Sequence, residues 1–115
     1  MSATPAQIHA AKHRIKTERI YIPATDGTHS MMAQTLDGLA VHQTPGRPGT
    51  FSLTHHHSGF QVASFSSQYD AVLGMRAIIT LTDWTKPKED VLREFNDPYV
   101  YGLLRHRIKL HYGVI

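Results

Sequence analysis

The chain has 115 residues, 41% of them hydrophobic and 18% charged, with no cysteine and a formal net charge of +3. That size and balance describe one folded domain, residues 1–115, and exclude a disordered chain. The missing cysteine removes disulfides, thiolate nucleophiles and cysteine-ligated zinc, and no apolar run approaches the roughly 20 residues of a membrane span.

In chain order, Thr4-Pro5-Ala6-Gln7 reads as a helix start: Thr4 caps, Pro5 suits the first helical position, and Gln7 closes a capping box. Ile8, Ala11 and Ile15 share one face of that helix, which should end before the short alternating stretch Ile20-Tyr21-Ile22, stopped by Pro23. The opening has no apolar signal segment, so the expected location is cytoplasmic. Residues 23–29 read as a loop. Met31–Leu36 and Leu39–Thr44 then flank Asp37-Gly38, a hairpin signal because a type I′ turn needs positive φ at both positions. Pro45–Gly49 makes a looser connection, followed by a second hairpin of 50–56 and 60–65.

A three-residue loop at His57-Ser58-Gly59 would pair Phe51 with Phe65, Thr54 with Val62 and His56 with Phe60. A two-residue loop would shift that register by one. After Phe65 the period changes. Ser67 caps a helix over 68–81 whose Ala71, Val72, Met75, Ile78 and Ile79 form one stripe, and Gly74 within it indicates a close backbone approach or weak helicity there. Thr85 and Pro87 start a short helix through Phe95, Asn96-Asp97-Pro98 restarts the chain into a helix over 99–111, and Trp84 reads as a core residue. The expectation is therefore an α+β domain: an antiparallel four-stranded meander at about 30–66, packed against an N-terminal helix and C-terminal helices.

The meander has two faces. Phe51, Leu53, Ala63 and Phe65, beside Leu39 and Val41, suit burial under the 68–81 helix. Ala40, His42, Ser52, Thr54, His56, Phe60, Val62 and Ser64 make a mixed second face, read as a binding face with a histidine-rich rim. His55 and His57 alternate with His56 across the pleat, and no zinc spacing motif joins them to His42 or His29. No metal and no cofactor are therefore expected. Nor is there a nucleophile elbow, a phosphate-binding loop or a paired-carboxylate signature, so the expectation is not an enzyme.

Charge is uneven along the chain. Lys12, Arg14, Lys16 and Arg19 face only Glu18 in the first segment, and Arg105, Arg107 and Lys109 follow the last acidic residue, Asp97. Tyr99, Tyr101 and Tyr112 interleave with the second cluster and offer rings on which bases stack. The candidate contact set for nucleic acid or a partner is Lys12, Arg14, Lys16, Arg19, Arg47, His56, Phe60, Arg105, Arg107 and Lys109.

The run GTFSLTHHHSGFQVASFSSQYDAVLGMRAI resembles short proteins carried by phages and plasmids. It is also similar in outline to three-stranded-sheet DNA-binding domains of the plant ethylene-response type. Those domains read DNA with Arg and Trp on the sheet, where this chain has His, Ser and Thr. The resemblance implies a small non-catalytic binding protein of mobile-element origin that contacts nucleic acid or a nucleic-acid-processing complex. Two alternatives are an inhibitor of a host defence nuclease working by protein contact, in the manner of anti-CRISPR proteins, and a histidine- or metal-dependent hydrolase.

Overall fold

The computed structural model describes residues 14–115. Strands β1 (Lys16–Ala24), β2 (Gly27–Leu36), β3 (Leu39–Gln43), β4 (Phe51–His55) and β5 (Gln61–Phe65) form an antiparallel sheet in chain order, and helices α1 (Gln68–Ile78), α2 (Lys88–Glu94) and α3 (Pro98–Leu110) follow. The fold is α+β, with five strands among the described residues where four were expected in the meander. The expected N-terminal helix falls largely outside the described residues, but its predicted last turn, Lys16–Arg19, lies in β1. There Ile20 and Ile22 point inward while Arg19 and Tyr21 are exposed, a period of two. The expected loop at 23–29 shrinks to Thr25-Asp26, because Ala24 pairs with Gly27.

Local chemistry sets several elements as expected. Asp37 and Gly38 take φ of 43° and 96°, the turn that joins β2 to β3. The Ser67 hydroxyl accepts the Asp70 N–H at 3.1 Å and starts α1. Phe51 pairs with Phe65 and Leu53 with Ala63, but Thr54 then pairs with Gln61 instead of Val62. Val62 is an extra residue in β5, a bulge that turns both Val62 and Ala63 into the core. The β4–β5 connection is one residue longer than expected: the His55 N–H bonds the Phe60 carbonyl at 2.8 Å, so His56 does not pair with Phe60.

The main core joins Leu36, Leu39, Val41, Leu53, Ala63 and Phe65 of the sheet to Ala71, Met75 and Ile78 of α1 and to Leu104 and Ile108 of α3. Trp84 closes it, donating its indole N–H to the Ile78 carbonyl at 3.0 Å and stacking on Phe95. Phe65 has backbone on two sides. A Cβ built on Gly74 of α1 would lie 2.6 Å from its Cζ, and one built on Gly113 would lie 2.5 Å from its Cε1.

The second sheet face is not the open binding face expected. Ala40, His42, Ser52 and Thr54 are all buried. The long β1–β2 hairpin bends across them, so that Ile20, Ile22 and Ala33 form a second apolar cluster with Ala40. Its tip reaches the β4–β5 turn, where a Cβ on Gly59 would lie 2.8 Å from the Pro23 carbonyl oxygen and 2.9 Å from Ile22 Cγ2. Gly59 also has φ of 75°, so the contact and the turn demand the same residue. The buried hydroxyls on this face are satisfied in short chains. Ser52 bonds Thr44 at 2.7 Å and Gln61 at 3.1 Å, and Thr54 lies 3.3 Å from His42 Nε2. Burial holds the His42 imidazole below its ordinary pKa, against its bond to the Gln43 carbonyl.

Candidate functional site

The histidine run divides into three different roles. His55 is fully buried. Its Nε2 lies 2.8 Å from the Lys86 carbonyl oxygen and its Nδ1 lies 2.7 Å from the Ser58 hydroxyl, which also receives the Phe60 N–H at 3.2 Å. A carbonyl only accepts, so Nε2 carries a proton and donates it. The ring pegs the β4–β5 turn to the segment before α2. His56 is half-buried, with its N–H on the Gly38 carbonyl at 2.8 Å, and His57 is exposed. Among the described residues no three His, Asp or Glu side chains converge to hold a metal ion.

Ser58 and His55 are as close as a nucleophile and its base, but the other ring nitrogen rests on a carbonyl and not on a carboxylate. No substrate reaches a ring with no exposed surface.

The predicted contact residues are dispersed. Lys12 lies outside the described residues. Arg14, Lys16 and Arg19 are exposed on or beside β1, and Arg19 donates to the Ser30 hydroxyl at 2.9 Å. Arg47 is exposed in the β3–β4 connection. Phe60 packs half-buried against the core, with Lys88 over its ring at 5.4 Å. Arg107 donates to the Ala77 carbonyl at 3.1 Å and the Thr80 hydroxyl at 3.3 Å, tying α3 to the end of α1. The basic segment of β1 lies on one outermost strand, whereas the tail after α3 pairs with the other, β5, through Val114 and Ser64.

What the structure does gather is the outer face of α3. Asp97 starts the helix by accepting the Tyr99 N–H at 2.9 Å, with Pro98 in the first turn. Leu104 and Ile108 face the core, which leaves Tyr101, Gly102, Arg105, His106 and Lys109 exposed on the other side. Arg105 lies over the Tyr101 ring, 6.0 Å from its centroid. A shallow groove of about 260 Å³ runs along Tyr101, Arg105, Lys109 and the tail residues Gly113 and Val114. No Asp or Glu occurs after Asp97, and the charged side chains that line this groove, Arg105 and Lys109, are both basic.

The helix ends in a way the sequence did not announce. The Gly113 N–H bonds the Ile108 carbonyl at 3.0 Å and the Tyr112 N–H bonds the Lys109 carbonyl at 3.0 Å, the paired bonds of a Schellman ending. The left-handed position belongs to Tyr112, with φ of 64°, where glycine is the ordinary choice. Its ring is 78% exposed, so packing within the described residues does not explain it. Gly102 is a second anomaly: it sits inside α3, and a Cβ there would meet nothing within 4 Å. Both residues weaken the helix locally; Tyr112 directly precedes Gly113 of the groove lining, and Gly102 follows Tyr101 of that lining in the chain. An exposed glycine at a helix position and a Tyr-Gly pair past the helix end were the signals available in the sequence.

No protein-family model, curated protein or solved structure matches the chain. The geometry of its own residues is what bears on its function.

Proposed function

We propose that this is a non-catalytic binding protein that holds single-stranded nucleic acid along the outer face of α3. The observation that carries the reading is the pair of locally unfavourable residues there. A glycine inside a helix costs about 1 kcal/mol against alanine, and a non-glycine residue in the left-handed region costs about 1–2 kcal/mol. Such departures from local preference concentrate where a surface serves a ligand. Tyr112 presents an exposed ring at the end of the helix that carries Arg105 and Lys109, and Gly102 leaves the exposed surface of that helix without a side chain.

The chemistry fits a strand with phosphates on Arg105 and Lys109 and bases stacked on Tyr101 and Tyr112. Stacking is tolerant of sequence because every base has a π-face, and each base is worth about 1–3 kcal/mol by alanine substitution. The test is fluorescence anisotropy with single-stranded and duplex oligonucleotides across salt. Binding should favour the single strand, and log K should fall with log salt by about 0.7 for each phosphate neutralised. Arg105→Ala with Lys109→Ala should flatten that slope, whereas Arg14→Ala with Lys16→Ala should leave it unchanged. Absence of binding in low salt, or a slope indifferent to Arg105 and Lys109, would overturn the reading.

A further inference from the structure

The strand pairing leaves one edge of the sheet open inside the fold. β1 pairs with β2 along its whole length, from Lys16 opposite Thr35 to Ala24 opposite Gly27. β3 leaves β2 after three pairs, ending at Gln34 opposite Val41. Among the described residues, Gly27–Ala33 therefore have no strand on their second side. The two-residue turns close on Ala24/Gly27 and Leu36/Leu39, and a hairpin closes on a hydrogen-bonded pair. By alternation, the N–H and C=O groups of Thr28, Ser30 and Met32 point to the open side.

The separation is built in. Gln43 would be the next residue of β3 opposite Met32, and its carbonyl is taken instead by the His42 ring, with Nδ1 at 2.9 Å. Between the parted strands lies a groove of about 520 Å³ whose walls include Ser30, Met31, Gln43, Thr44, Pro45 and Arg47.

We propose that this groove takes an extended acidic peptide, which adds to β2 as a strand. Two contrasts favour that occupant. The outer edge of β1 is guarded, because the same alternation places Arg19 and Pro23 on it, and charge and proline are how proteins block strand addition. The open stretch of β2 carries neither. Charge selects the acidic partner: Arg47 is exposed at the groove and Arg19 reaches its rim through Ser30, against one nearby carboxylate, Asp26, which hydrogen-bonds His29 at 2.9 Å. Main-chain bonds to β2 would supply affinity and the arginines the side-chain preference. The proposal is independent of the α3 face.

The test uses the whole chain, labelled for amide NMR, and two capped seven-residue peptides of alternating Thr and Val that differ only in a central Glu or Lys. The Glu peptide should shift the amides of Thr28, Ser30 and Met32 saturably and slow their exchange, and the Lys twin should bind about tenfold more weakly. Ser30→Pro removes an N–H on the open side while leaving the β1 ladder intact, so it should abolish binding, whereas Ser30→Ala should retain it. Arg47→Glu, at an exposed position, should reverse the preference between the two peptides whether or not the proline variant folds. If neither peptide moves those amides at millimolar concentration, or if Arg47→Glu leaves the preference unchanged, the proposal fails.

Discussion

The backbone clamp on Phe65 makes a double-mutant cycle decisive. Phe65→Ala removes a buried ring and should cost about 3–5 kcal/mol. Gly74→Ala has two opposed effects in the intact protein. Helix propensity favours alanine by about 1 kcal/mol, but the new methyl would stand 2.6 Å from Phe65 Cζ and 3.0 Å from Cε1, against a ring that Gly113 blocks on another side. Overpacking of that kind costs about 1–3 kcal/mol, so Gly74→Ala alone should be neutral or destabilising by up to about 2 kcal/mol. In the Phe65→Ala background the obstacle is gone, and the same substitution should stabilise by about 1 kcal/mol. The two changes should thus be coupled by about 1–3 kcal/mol. Urea unfolding of wild type, both single variants and the double variant measures this directly. Strict additivity would show that Gly74 does not exist for Phe65.

Three further outcomes follow from other parts of the molecule. Tyr112→Gly and Gly102→Ala should each raise stability by about 1 kcal/mol in thermal unfolding, and each should weaken oligonucleotide binding; stabilisation with unchanged binding would leave the α3 face without a ligand. Burial lowers the His42 pKa in the folded state, so the unfolded chain takes up the proton first as pH falls. Stability should therefore be complete above the ordinary histidine pKa of about 6.5 and decline below it, and His42→Gln should remove that part of the decline in urea titrations from pH 8 to 5. His55→Ala should destabilise more than His57→Ala, since it empties a fully buried site and takes a donor from the Lys86 carbonyl; equal midpoints in urea would refute the peg.

Elements whose cause is local were legible in the sequence. Asp37-Gly38, the Ser67 cap and the Asp97-Pro98 start each carry their own turn or cap chemistry, and the structure has all three. β1 was not legible over Lys16–Arg19, because charged residues there suit a solvated helix as well as an exposed strand face. Only the cover that Ile20 and Ile22 find over Ala40 and Gly59 decides between them, and that contact is remote in sequence. The same fold-back buries His42, Ser52 and Thr54, which no alternation pattern could tell from a wet face. The α3 site was half visible. Tyr101, Arg105 and Lys109 stood out as an aromatic and basic set, but Arg105 and Arg107 look alike until one is seen tied to Ala77 and Thr80. The positive φ of Tyr112 was hidden by its neighbour, because glycine is the ordinary residue at that position and Gly113 stands one place later.

The two glycines around Phe65 are far apart in the chain, and this bears on how the protein is made. Phe65 and Gly74 leave the ribosome together, while Gly113 follows only after α2 and α3, about a few seconds later at ordinary elongation rates. The meander consists of neighbouring strands and can assemble in that interval, with α1 laid across it. One side of the Phe65 ring, and the edge of β5 that Val114 later joins, then stay uncovered on the nascent chain. That is the period in which an exposed aromatic beside an unpaired strand edge invites misassociation.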